Sequence, residues 1–163
     1  MTEPISSRLR LLASPHRPEP QARVGRRITG LLLRLGCVAL LTWIGYIHLH
    51  LWQEGYRQIP TNGPLFLLDA VAGLILAAVL LMWPRPLAGL LAAGYTVSTL
   101  GALIISLTVG LFGFRESISA SFVITSLTVE TITALALLTW AILVTARPRT
   151  HMPRQSSSRL LKI

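Results

Sequence analysis

Four long apolar segments constrain this chain more than any other feature of its sequence. They cover approximately residues 30–52, 64–83, 87–112 and 119–146, and each contains at most one Asp, Glu, Lys or Arg. About 20 helical residues cross the ~30 Å hydrocarbon layer of a bilayer, so each segment is long enough to span it. The composition, 52% apolar and 13% charged with a mean hydropathy of +0.61, is typical of membrane proteins. We therefore predict an all-α membrane protein built as a four-transmembrane-helix bundle.

The basic residues are concentrated at the two ends of the chain. Seven Arg lie before or at the start of the first segment, and four Arg and one Lys follow the fourth. Because Arg and Lys favour the cytoplasmic side, we expect both ends in the cytoplasm, beside the anionic head groups of a bacterial plasma membrane. We predict that the transmembrane domain covers residues 28–146. It is flanked by two tails, residues 1–27 and 147–163, that we expect to be disordered. This topology explains the net charge of +9, so we expect no nucleic acid partner.

Four ionisable side chains lie inside the predicted spans, where such groups are costly and usually functional. His48 and His50 lie near the end of the first segment, Asp69 lies early in the second, and Glu130 lies deeper in the fourth. Counted from the segment ends, all four lie in the half of the bilayer opposite the tails. Helical spacing places both carboxylates among small or hydroxyl residues, which predicts that they face the bundle interior. On the third segment, four-residue spacing predicts a packing seam of Gly94, Ser98 and Ala102.

The two histidines are poor candidates for a shared metal ion. Residues two apart on a helix project about 200° apart, and His50 shares a stripe with Tyr46 whereas His48 lies on nearly the opposite side. His50 with Asp69 and Glu130 would suit a hard or borderline divalent ion. The candidate polar site comprises Tyr46, His48, His50, Asp69 and Glu130. A structural role is the alternative. The histidines could belong to an aromatic belt at the membrane interface, and the carboxyl groups could serve only to hold helices together through hydrogen bonds.

The connection between the first two segments predicts a short, turn-rich loop, because it contains Gly55, Pro60 and Gly63. Its polar residues could fold back over the mouth of the bundle as a lid, with Arg57 paired to Glu54 or Asp69. An exposed hairpin is the alternative. The lid candidates are Glu54, Tyr56 and Arg57.

The segment YIHLHLWQEGYRQIPTNGPLFLLDAVAG is the most distinctive in the chain. Through H-x-H-x-W, G-Y-R-x-I-P-T and G-P-L-F-L-L it resembles a family of uncharacterised four-span membrane proteins of high-GC actinobacteria. That resemblance implies the four-span fold and no particular activity. In the number and size of its spans alone, the chain also resembles small DoxX-type membrane proteins, which would imply quinone or thiol redox chemistry.

The sequence contains no nucleophile and base set, phosphate-binding loop or paired-cysteine motif, so it does not favour an enzyme. We expect an accessory or assembly subunit that packs against other membrane subunits or a second copy of itself. The first alternative is a small transporter or proton- or cation-coupled protein that uses Asp69 and Glu130, with Tyr46 and His50 at the entrance. The second is a quinone- or metal-linked component of an oxidoreductase. No cofactor is predicted, although the sequence does not exclude a bound metal ion or quinone.

Overall fold

The computed structural model describes residues 20–145, which form four long α-helices. All four helices are long and apolar enough to cross a membrane. The described chain is therefore a multi-pass, all-α bundle of four transmembrane helices, which confirms the predicted fold class. In chain order the helices are α1 (Pro20–Glu54), α2 (Asn62–Met82), α3 (Pro86–Thr108) and α4 (Val123–Thr145).

The helix boundaries depart from the predicted segments in three places. Residues 20–27, predicted as part of a disordered tail, are helical because α1 already begins at Pro20, a residue suited to a first turn. Helix α3 stops before residue 112, since Gly110 has a φ of 89° that cannot continue a helix. Helix α4 begins after residue 119, because Phe122 adopts a left-handed φ of 66°. The other tail predictions, for residues 1–19 and 146–163, lie outside the described residues.

The four helices form a closed ring, because consecutive helices pack together and α4 packs back against α1. In the centre, α1 contributes Cys37 and Leu41, α2 contributes Leu80, and α4 contributes Leu137 and Trp140. Large apolar side chains also cover the outward surfaces of the helices. Such an exterior suits lipid tails, which are as apolar as the side chains they touch.

The two ends of the bundle differ in the length of their connections. Residues 83–85 join α2 to α3 in a short turn, and we call this side the turn end. On the other side lie residues 55–61, with a 3₁₀ turn at Tyr56–Gln58, and residues 109–122. We call this side the loop end. The two loop-end connections are joined by a hydrogen bond from the Tyr56 hydroxyl to Glu116 Oε2 at 2.7 Å.

Gly89 on α3 provides a direct test of helix packing near the turn end. A Cβ atom at this position would lie 2.6 Å from Cζ3 of Trp140, whose side chain is buried. We expect Gly89→Ala to lower the free energy of unfolding by about 1–3 kcal/mol, because the ring has no room to move. Thermal unfolding in detergent would measure the loss. Gly94→Ala is the control on the same helix, since a Cβ there meets nothing within 4 Å; equal losses in both variants would contradict this packing.

Candidate functional site

A cavity of about 360 Å³ lies inside the loop end of the bundle. All four helices line it, and residues of both loop-end connections cover it. Its wall is mainly apolar, with several Leu, Phe and Tyr side chains, and carboxyl and hydroxyl groups lie between them. Its volume lies within the range of small-molecule sites in proteins, about 300–1,000 Å³.

Glu130 is the most deeply buried ionisable side chain that faces this cavity. It lies two turns into α4, about 10 Å along the helix from Val123. Its side chain is only 2% exposed. Its Oε2 atom accepts no hydrogen bond from the residues that the structure describes. An ionised carboxylate in such surroundings is costly unless a proton or a cation neutralises it.

Asp69 faces the same cavity from α2, half-buried and within electrostatic range of His48. The Nδ1 atom of His48 lies 2.9 Å from the backbone oxygen of Ile44. Because a carbonyl oxygen only accepts, Nδ1 carries a hydrogen, and the Nε2 of the neutral ring is left as an acceptor. On the next helix, Tyr95 lines the cavity and donates its hydroxyl to the backbone oxygen of Asp69 at 2.8 Å. This bond ties α3 to α2 beside the carboxyl group.

Tyr56 covers the mouth of the cavity. Its ring packs against Phe66 and Phe114, with ring centroids 4.6 Å and 5.8 Å away. Its hydroxyl donates a hydrogen bond to Glu116. The backbone N–H of Glu116 in turn donates a hydrogen bond to the carbonyl oxygen of Ser106 on α3, at 3.1 Å. Burial raises the pKa of the Tyr56 phenol, and the hydrogen bond and negative charge of Glu116 raise it further. The phenol therefore stays protonated, and able to donate, well above its ordinary titration range.

The structure brings together only three of the five residues predicted for the polar site. His48, Asp69 and Glu130 line the cavity. Tyr46 instead is 48% exposed on the outside of α1, where its ring stacks on that of His50 at 5.8 Å. The Nε2 atom of His50 lies 3.2 Å from Glu54 Oε1 on the same face. The predicted entrance of Tyr46 and His50 is therefore wrong.

The predicted metal-ligand set is also wrong. His50 does not line the cavity and packs instead against Phe122, whereas Asp69 and Glu130 line the cavity within the bundle. Within residues 20–145, no group of three or more His, Cys, Asp or Glu side chains could hold a metal ion. Helical geometry explains the error, since only one of two histidines spaced two residues apart can face the interior.

Of the three predicted lid residues, the structure places only Tyr56 at the cavity. Tyr56 folds over the cavity, but Glu54 and Arg57 are exposed and do not line it. In the described part of the chain, Glu54 pairs with His50 rather than with Arg57. The turn itself is tight, because a Cβ on Gly63 would lie 2.7 Å from the backbone oxygen of Arg57.

Several cavity residues were absent from the sequence-based site. The predicted packing seam on α3 is instead part of the cavity wall, where Ser98 and Ala102 face open space, and Gly94 is exposed. Glu116 was missed because its contact with Tyr56 joins residues 60 positions apart. Comparison of the chain with protein-family models, curated proteins and solved structures finds no match.

The lid contact between Tyr56 and Glu116 can be tested by a single-atom change. Tyr56→Phe keeps the aromatic packing but removes the hydroxyl, at a cost of about 1–2 kcal/mol to the closed loops. We expect faster amide hydrogen exchange at residues 111–121. Because the folded-state pKa of Tyr56 is raised, wild-type protection should be full below the ordinary tyrosine pKa and fade as pH rises through the raised value. Tyr46→Phe is the control, and equal acceleration there would contradict the lid.

Proposed function

We propose that this chain is a small proton-coupled carrier of cations whose binding groups are Asp69 and Glu130. The observation that carries the proposal is the Glu130 carboxyl group, which is buried against a cavity with Oε2 unpartnered by any described residue. A carboxyl group that only locked two helices together would have partners for both oxygens. A group that exchanges ligands needs an open coordination position, which the cavity supplies.

Exchange of a proton for a cation follows from the charge of the cavity. With a proton on Glu130, the buried carboxyl group is neutral and tolerates its apolar surroundings. A cation that enters beside it stabilises the ionised form instead, and the proton leaves. Asp69 shares the cavity, so a second negative charge makes simultaneous ionisation of both groups costly without a cation. One bound cation in place of one proton is therefore the favoured stoichiometry.

The other polar side chains around the cavity are compatible with a cation site at Glu130. Tyr95 lies within electrostatic range of both Asp69 and Glu130 and keeps its hydroxyl bonded to the α2 backbone. His48 lines the cavity within electrostatic range of Asp69, and its Nε2 atom is left as a hydrogen-bond acceptor. At the mouth, Glu116 is satisfied by Tyr56 and by the backbone N–H of Ser117. The unsatisfied charge thus lies at the inner end of the cavity.

Proteoliposomes test this function directly. Gradients of Na⁺, K⁺ and benzyltrimethylammonium, imposed in separate experiments, should each be compared with protein-free liposomes by an internal pH indicator. At least one gradient is expected to drive protons in the opposite direction, and Glu130→Gln should stop this movement. If no gradient moves protons, the proposal is lost. Purification in mild detergent as a stable complex with other subunits, combined with that failure, would favour the accessory-subunit hypothesis.

We also propose that the loop end faces outward from a bacterial plasma membrane and that the turn end faces the cytoplasm. Arg27, Arg34 and Arg85 lie toward the turn end, whereas Arg57 and Arg115 at the loop end lie close in sequence to acidic residues. In intact cells we expect a membrane-impermeant maleimide to label Gly113→Cys but not Arg85→Cys. Labelling of Arg85→Cys should require permeabilised cells. The reverse pattern would contradict this orientation.

A further inference from the structure

The charge of the cavity selects for positively charged ligands. Asp69, Glu116 and Glu130 contribute three carboxyl groups to its wall. Among the described residues that line it, none is Lys or Arg, and His48 is the one histidine. An anion would meet acidic groups without basic partners. A cation would meet the unpartnered Oε2 atom of Glu130.

The size and wall of the cavity favour an organic cation over a metal ion. A metal ion needs a close shell of ligands, which the described residues do not provide. The 360 Å³ volume is instead suited to a molecule with an apolar body. Aromatic rings attract cations through their faces, and ammonium groups are commonly bound among several rings. The rings that line this cavity belong to Tyr56, Phe66, Tyr95, Phe112 and Phe114.

The two inner carboxyl groups, of Asp69 and Glu130, are separated along the cavity from most of the aromatic rings. Glu130 lies two turns inside α4, and Asp69 lies seven residues into α2. Tyr56 and Phe114 belong to the loop-end connections, and Phe66 lies in the first turns of α2. A bound molecule therefore meets Asp69 and Glu130 at the inner end, beside Tyr95, and meets the other rings nearer the mouth, where Glu116 is already bonded to Tyr56. This separation fits a ligand with one charged head and one apolar body.

We propose that the cavity binds an organic ammonium ion, with its charged head beside Glu130 and Asp69 and its apolar body against the rings near the mouth. This inference rests on the proposed function and names its substrate class. Na⁺ or K⁺ could couple to the same carboxylates without the apolar body. The test must therefore separate the charge of the ligand from its shape.

Binding of tritiated benzyltrimethylammonium to the purified full-length protein provides that test. Neopentylbenzene has nearly the same shape but no charge, so it serves as the neutral competitor. We expect saturable binding of the cation and competition by neopentylbenzene that is at least about tenfold weaker than by unlabelled cation. Glu130→Gln should weaken binding about 30-fold or more, because it removes the charge partner of a desolvated cation. Glu54→Gln, whose site is outside the cavity, should bind like the wild type.

Each contrary result has a defined meaning. Absence of saturable binding by the wild type overturns the ammonium inference, and so does equal competition by the neutral compound; neither result depends on how well a variant folds. Wild-type affinity in Glu130→Gln also overturns it. If a Na⁺ or K⁺ gradient still drives Glu130-dependent proton movement while the ammonium ion does not bind, the substrate class is wrong and the carrier function stands. If both experiments fail, the proposed function fails as well.

Discussion

Replacement of Glu130 by Gln is expected to abolish proton exchange while leaving the bundle folded. The amide has nearly the shape of the carboxyl group but can neither release a proton nor balance a cation. Loss of a charge partner in a desolvated site costs about 2–5 kcal/mol, which weakens cation binding about 30-fold to several thousand-fold. The free energy of unfolding should stay level or rise, because the buried position no longer holds an ionisable group. The internal pH of proteoliposomes and thermal unfolding measure the two effects separately.

Two further variants give this prediction its controls. Asp69→Asn should weaken exchange less than Glu130→Gln, since Asp69 is only half-buried and lies near His48. Glu54→Gln should leave exchange unchanged, because Glu54 pairs with His50 outside the cavity. Full proton exchange by folded Glu130→Gln protein would contradict the role given to this carboxyl group.

Ala102→Phe is expected to block the cavity without altering either carboxyl group. Ala102 lines the cavity from α3, and a phenyl ring at this position would take up much of the 360 Å³. A ligand would then have to displace the ring or bind outside, so we expect affinity for benzyltrimethylammonium to fall at least about tenfold. Proton exchange should fall with it. Equilibrium binding to the purified variant and the proteoliposome assay would measure both losses.

The matched control for this change is Ile104→Phe, two residues further along α3. Ile104 is 47% exposed on the outer surface of the bundle, where a larger apolar side chain meets lipid. The Ile104→Phe variant should therefore bind benzyltrimethylammonium and exchange protons like the wild type. If Ala102→Phe binds normally while Glu130→Gln does not, the cation reaches Glu130 by a route outside this cavity.

Hydropathy alone was sufficient to predict the four helices, because a bilayer imposes one length and one composition on every span. The ends of the helices were harder to place. Helix α3 stops at Thr108 although the apolar run continues to Phe112, because the backbone turns at Gly110. Residues 109–114 then form an apolar but non-helical start to the connection at the loop end. Hydropathy cannot distinguish such a segment from a continuing helix.

The inward-facing carboxyl groups followed from helical spacing, and the choice between the histidines could have followed from it too. Cys37, Leu41 and Ile44 form a buried stripe on α1, and His48 continues the stripe four residues later. His50 lies off this stripe. The predicted metal-ligand set contained His50, which shares a face with the exposed Tyr46 and does not line the cavity. Apolar neighbours at three- and four-residue spacing identify His48 as the histidine on the buried side of α1.

The lid and the cavity itself could not be predicted from one sequence. Glu116 approaches Tyr56 only because two separate connections meet at the loop end. The small residues of α3 predicted a packing seam, but Ser98 and Ala102 line the cavity. Whether small residues admit a helix or leave a cavity depends on the separation of all four helices. The residue pattern within one helix does not determine that separation.

Chemical labelling of Glu130 tests the central claim most directly. A hydrophobic carbodiimide reacts with protonated carboxyl groups in apolar surroundings and leaves a stable acylurea that peptide mass spectrometry can locate. We predict a label on Glu130 in the wild-type protein, and protection of that site by benzyltrimethylammonium but not by neopentylbenzene. Absence of the label on Glu130 would contradict a protonated, exchangeable carboxyl group in this cavity, and a label that the ammonium ion leaves unchanged would contradict the ammonium ion as its ligand.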